Sequence, residues 1–291
     1  MTRAYQLGLI GYPVGHSLSP RLHRAALSSA GLQGDYQLLA VAPQDLDEFL
    51  SRLRLAGASY QGLNVTIPHK QAVIPHMDEL SPSAASAGAV NTIMIREDRL
   101  VGHNTDIHGF KTGLESAGLS PDRRRIAIVL GAGGAARAAI LGLAELAFAE
   151  IVVAARDRSK TRDLVAGFGQ PDFPATVRAA DLDGLAGSSA SVSADLLVNA
   201  TPLGQSAEPT FSTPIWFERA LGCLGEDGLF YDLVYAREST GLTPLVEAAR
   251  KRGLPAVDGM VMLVHQAAAA FELWTGKKPD TEAMREAAYR S

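Results

Sequence analysis

Ile126-Ala127-Ile128-Val129-Leu130-Gly131-Ala132-Gly133-Gly134-Ala135-Ala136-Arg137-Ala138-Ala139 runs from a short apolar segment through a glycine-rich turn into an alanine-rich one. The pattern reads as strand, turn and helix. Gly131 permits the tight turn, Gly133 lets the backbone approach a pyrophosphate, and Ala136 keeps the helix close to the sheet, so the helix N-terminus faces an anion. A second apolar run, Ile151-Val152-Val153-Ala154-Ala155, falls where the next strand of a βαβ unit belongs. Gly131, Ala132, Gly133, Gly134 and Ala135 are therefore expected to cradle a dinucleotide.

Outward from this unit, short apolar runs alternate with helical patterns, which predicts an α/β fold with parallel strands. Strands are expected at Gln6 to Ile10, Tyr36 to Val41 and Gln61 to Val65, then near 126–130, 151–155, 195–199 and 228–233. Ser19 suits a helix N-cap with Pro20 at the first helical position, and further helices are expected over Asp45 to Ala56 and Thr105 to Ala117. Ala89 to Arg96 and Arg99 to Gly102 flank Glu97-Asp98 like a small hairpin. The division predicted is an open α/β domain over 1–105, completed by C-terminal helices within 259–291, and a Rossmann-type domain over 106–258. Gly187 to Ser191 and Gly204 to Thr213 are the most loop-like stretches.

The chain has 291 residues, enough for about two domains. Lys and Arg number 27 against 31 Asp and Glu, so no basic face for nucleic acid is implied. No run approaches the roughly 18 apolar residues of a membrane span. Cys223 stands alone, without a disulfide partner or a metal-ligand spacing, and a reducing, cytoplasmic compartment fits it. His16, His23 and His265 make no metal set.

Two polar runs carry the chemistry: Asn64-Val65-Thr66-Ile67-Pro68-His69-Lys70 and Gly102-His103-Asn104-Thr105-Asp106. A carboxylate near a lysine sets its charge and position, and the ammonium can then hand a proton to a developing alkoxide. Taken singly, Lys70 also reads as a surface charge and Asp106 as a helix cap. At the end of the second dinucleotide-domain strand, Ala154-Ala155-Arg156-Asp157-Arg158-Ser159-Lys160 leaves the cofactor open between two forms. Arg156 can stack on adenine and clamp a ribose phosphate, whereas Asp157 can accept from a ribose hydroxyl, turn away, or pair with Arg158.

Together these motifs resemble the shikimate dehydrogenase family over nearly the whole chain. The resemblance implies that Ser17 and Ser19, in Gly11-Tyr12-Pro13-Val14-Gly15-His16-Ser17-Leu18-Ser19-Pro20, bind a substrate carboxylate. Asn64, Thr66 and the catalytic Lys70 would come from the first polar run, and Asp106 with Asn91 would hold the ring hydroxyls. Asn199, Ala200 and Thr201, in Asn199-Ala200-Thr201-Pro202-Leu203-Gly204, are similar to a loop beside the nicotinamide. The closing motifs, Tyr231 to Tyr235 and Gly259 to Gln266, would set Tyr235 and Gln266 at the substrate and Leu233 and Gly259 at the cofactor. The implied reaction is the reversible reduction of 3-dehydroshikimate to shikimate with NADP(H), by a monomer or homodimer. Three motifs depart from the family's pattern: Arg24 replaces an Asn, Val261 a Gly, and Ala155-Arg156-Asp157 stands for Asn-Arg-Thr. The last keeps open a quinate/shikimate dehydrogenase using NAD(H). A non-catalytic ligand sensor on the same scaffold is the reading of another class.

Overall fold

A computed structural model describes residues 4–55, 60–96, 98–182, 184–185, 193–205, 211–236 and 242–289. Ala56, Glu97, Gly187 to Ser191 and the middle of Gly204 to Thr213, at which sequence expectations were placed, lie outside them. The chain divides into two units, Met1–Gly109 with Leu263–Ser291, and Phe110–Met262.

The first unit opens with β1 (Tyr5–Gly11), α1 (Ser19–Ser29), β2 (Gly34–Ala40), α2 (Leu46–Leu53) and β3 (Gly62–Val65). It continues with β4 (Glu79–Leu80), α3 (Pro82–Ala87), β5 (Thr92–Arg96), β6 (Arg99–His103) and the start of α4 (Asp106–Ser116). The strand order is β2-β1-β3-β5-β6-β4. β1 runs parallel to β2 and β3, but β5 is antiparallel to both β3 and β6, so this sheet is mixed rather than parallel throughout. The link from β5 to β6 is too short for a crossover, and Asp98 takes the left-handed conformation (φ +69°) that tight hairpins need. One face of α2, with Leu46, Leu50 and Leu53, closes a core with Ile10, Leu63, Val65, Val90 and Ile93.

The second unit alternates strand and helix except between β9 and β10, where no helix is found among the described residues: β7 (Ile126–Leu130), α5 (Gly134–Glu145), β8 (Glu150–Ala154), α6 (Arg158–Ala166) and β9 (Thr176–Ala180) come first. They are followed by β10 (Ala194–Asn199), α7 (Ile215–Leu221), β11 (Leu224–Asp232), α8 (Pro244–Lys251) and β12 (Ala256–Val257). The pairings are parallel and the order is β12-β11-β10-β7-β8-β9. The order reverses between β7 and β10. In open α/β sheets the crevice beyond the carboxyl ends of two such strands is where ligands bind, which selects the loops after Leu130 and Asn199.

α9 (Met260–Thr275) begins in the second unit and ends in the first, and α10 (Thr281–Tyr289) packs on α1. Arg21 donates to Ala288 O at 3.2 Å and Lys277 Nζ to Ala30 O at 3.1 Å, fastening the C-terminal residues to the first unit.

Candidate active site

In the first unit, Lys70 Nζ donates to Asp106 Oδ2 at 2.6 Å, although 36 residues separate them. β3 delivers the lysine through a turn. Thr66 N–H bonds Ile10 O at 2.9 Å, His69 N–H bonds Thr66 O at 2.9 Å, and the Lys70 carbonyl accepts Val90 N–H at 2.7 Å. His69, buried, sets a ring nitrogen 2.7 Å from Val41 O. Asp106 is the first residue of α4, where the helix dipole favours a carboxylate. Its second oxygen accepts Asn91 Nδ2 at 2.8 Å, and its backbone N–H bonds Asn104 Oδ1 at 3.1 Å. The lysine and aspartate side chains are 25% and 11% exposed, so the pair is held from behind yet open to a ligand.

Among the other expected first-unit residues, Asn91 contacts this pair directly. Asn91 donates to Thr105 Oγ1 at 2.9 Å and approaches Gln266 Oε1 at 3.5 Å, while its own carbonyl oxygen accepts Thr105 N–H at 2.8 Å. Asn64 is buried with its amide engaged inside the protein: its oxygen accepts the Tyr36 hydroxyl at 2.7 Å and its nitrogen donates to Thr92 Oγ1 at 3.1 Å. Thr66 is half-buried on the same loop as Lys70. Ser17 Oγ donates to Ser19 Oγ at 3.0 Å. Ser19 is not the cap expected of it. Leu18 holds the cap position of α1 without a side-chain bond, and Ser17 Oγ accepts Ser19 N–H at 3.2 Å. Behind Asn64, His23 stacks on Tyr36 with ring centres 4.3 Å apart. Burial holds His23 down to about 3; Asn64 opposes this only in part, and neither ring nitrogen has a hydrogen-bond partner within geometric limits among the described residues. The stacking of His23 on Tyr36 has no local signature in the sequence, because the two residues stand on different elements, α1 and β2.

In the second unit, Gly131 (φ +115°) turns the chain out of β7, and a Cβ there would lie 2.9 Å from Ala200 O. The two switch-point loops thus meet. Gly133 caps α5 without a side-chain bond, and Gly133 and Gly134 face open space. The uncapped N–H groups of that helix turn are the donors a pyrophosphate needs, so these residues fit a dinucleotide. Asn199 Oδ1 accepts both Thr201 N–H at 3.1 Å and the Thr201 hydroxyl at 2.6 Å, shaping the β10 loop. Leu233 N–H bonds Asn199 O at 3.0 Å. Gly259 lies so close to Leu233 that a Cβ would stand 2.3 Å from its carbonyl oxygen, and half-buried Tyr235 belongs to the same turn.

Arg156 and Asp157 part company. Asp157 caps α6, accepting Ser159 and Lys160 N–H at 3.1 Å each, and Arg158 pairs instead with Asp181 at 2.8 Å. Arg156 is exposed and has no ion pair among the described residues. Of the departures, Arg24 has a structural role, bridging from α1 to Asp35 at 2.8 Å and Tyr36 O at 3.2 Å. No described helix is long and apolar enough to cross a membrane, and no described cluster of three His, Cys, Asp or Glu could hold a metal.

Residues 9–93 match the shikimate dehydrogenase substrate binding domain, and residues 259–289 the shikimate 5'-dehydrogenase C-terminal domain. A shikimate dehydrogenase (NADP(+)) of Symbiobacterium thermophilum is 40% identical, over 97% of this chain and 92% of its own. The chain belongs to the shikimate dehydrogenase family. Among solved structures, shikimate 5-dehydrogenase from Thermus thermophilus, in complex with NADP(H) and shikimate, is 37% identical with a TM-score of 0.79, covering 98% of each chain. Quinate dehydrogenase from Corynebacterium glutamicum, in complex with NAD, is 34% identical with a TM-score of 0.82, also covering 98% of each. Family membership and fold thus agree with the resemblance carried by the motifs.

Proposed function

We propose that the chain catalyses the reversible NADPH-dependent reduction of 3-dehydroshikimate to shikimate, with Lys70 and Asp106 handling the proton. The observation that carries this is the 2.6 Å Lys70–Asp106 contact, with the aspartate's other oxygen fixed by Asn91. Bound NADPH supplies the hydride. Lys70 gives a proton to the carbonyl oxygen as it becomes a hydroxyl, and takes one from that hydroxyl in the oxidation direction. Asp106 holds Lys70 and a ring hydroxyl in register. Ser17 and Ser19 donate to the ring carboxylate without adding charge. Thr66, Asn91, Gln266 and Tyr235 bond the ring oxygens, and Asn64 supports them from behind.

On the cofactor side, Gly131 to Ala135 receive the pyrophosphate, and Asn199, Ala200, Thr201, Leu233 and Gly259 line the nicotinamide end. Arg156 takes the ribose phosphate by charge-assisted bonds. Asp157 spends its side chain on the α6 cap, which supports NADP(H) over NAD(H). We place the enzyme in the cytoplasm, as monomer or homodimer, in keeping with its single cysteine. Reduced-nicotinamide absorbance tests the reading, using shikimate or quinate with each cofactor. Shikimate-dependent reduction of NADP is expected; higher efficiency with NAD would transfer the cofactor choice to Asp157, and no turnover with any pair would favour a ligand sensor.

A further inference from the structure

Asp232, the last residue of β11, is a fully buried carboxylate that the chemistry above leaves without a task. Its Oδ1 accepts Asn199 Nδ2 at 2.8 Å and Val234 N–H at 3.1 Å, and its Oδ2 accepts the Thr243 hydroxyl at 2.6 Å. The Thr243 oxygen in turn caps α8 by accepting Val246 N–H at 3.2 Å. Three elements therefore end on one carboxylate: the last residue of β10, the turn after β11, and the N-terminus of α8. Asp258 extends the arrangement by accepting Ala236 N–H at 3.2 Å and Met260 N–H at 3.1 Å.

All three partners donate to Asp232, so the group at their centre accepts on both oxygens as it stands. An amide of the same shape would turn an N–H₂ toward one of them. Burial raises Asp232 to about 6, with Asp258 adding to the rise. Ionised at neutral pH, such a group lowers stability rather than raising it. A costly buried charge at the mouth of a binding crevice is the pattern of a group kept for function.

We infer that Asp232 is a positioning residue for the cofactor: it fixes Asn199, and through it Thr201, against the 233–235 turn, so that the nicotinamide end meets a preformed surface. The inference rests on the reading of these two loops as the nicotinamide side. The test is direct binding, by NADPH fluorescence and by shikimate titration, on the full-length parent and on Asp232→Asn, Thr243→Val and Thr243→Ser, with thermal melting of each. Asp232→Asn is expected to raise the NADPH Kd by about 10-fold, equivalent to ~1.4 kcal/mol, with the shikimate Kd within about twofold of the parent. Thr243→Val should weaken NADPH binding in the same direction, and Thr243→Ser, which restores the donor, should return it to the parent value. An NADPH Kd unchanged in folded Asp232→Asn, or equal weakening by the Val and Ser variants, overturns the inference. If Asp232→Asn does not fold, the Val and Ser pair decides alone. Failure of the parent to bind NADPH overturns the functional reading itself, and the inference with it.

Discussion

Ser17 and Ser19 already bond each other, so a bound carboxylate would have to redirect hydroxyls that sit 3.0 Å apart. Replacing either by Ala should weaken shikimate binding by about 1–3 kcal/mol, the worth of a hydrogen bond to a charged group. NADPH affinity should stay constant, as two parallel titrations would show. At Arg156 the expected effect is on choice rather than strength. Arg156→Leu should reduce the preference for NADP over NAD by roughly 10- to 100-fold in kcat/KM, or ~1.4–2.8 kcal/mol, and an unchanged ratio would contradict its role. The sequence shows both Arg156 and Asp157 but not which one faces a ligand. That depends on where α6 begins, since a cap is defined by backbone geometry that neighbouring residue types only suggest. Lys70 and Asp106 were legible because each sits in a distinctive polar run; the Asn91 bond that orients the aspartate was not, being a contact between residues 15 apart in the chain.

Two buried tyrosines separate what a fold element needs from what it tolerates. The Tyr36 hydroxyl on β2 bonds Asn64 on β3, so Tyr36→Phe would leave a buried amide oxygen unpaired. Urea unfolding should show a loss of about 1–3 kcal/mol. The Tyr231 hydroxyl on β11 has no hydrogen-bond partner among the described residues and fills the notch left by Gly113 of α4, where a Cβ would stand 2.1 Å away. Tyr231→Phe should therefore leave stability unchanged or raise it, and a loss as large as that of Tyr36→Phe would contradict this account of β11 packing. Elements with continuous apolar runs, such as β7, β8 and β10, were readable in advance. β9 was not, because Thr176–Ala180 is an edge strand with largely exposed residues and lacks such a run. β4 and β12, two residues each, are too short for any periodicity. The mixed pairing of the first sheet followed from the hairpin at Asp98, a local turn with consequences for the whole sheet.

Across the whole molecule, the alternation of strands and helices and the glycine turn sufficed for the α/β class. What the sequence could not display was the burial of ionisable groups away from any motif, of which His23 is the clearest. Its folded value, about 3, lies below the ordinary 6.5, so between these limits the unfolded chain binds a proton that the folded chain does not. The stability tied to His23 is complete above about pH 6.5 and is lost as pH falls toward 3. His23→Leu should then lose less stability than the parent on acidification, seen as a difference in unfolding free energy that shrinks or reverses toward low pH; a difference independent of pH would show that His23 is not buried neutral.

Whether Lys70, held by Asp106, moves the proton is read from the turnover of Lys70→Ala set beside its shikimate dissociation constant. If it has that role, kcat falls by about 100- to 10,000-fold with shikimate binding changed only a few-fold. Turnover within threefold of the parent, in a variant that still binds shikimate, would contradict it.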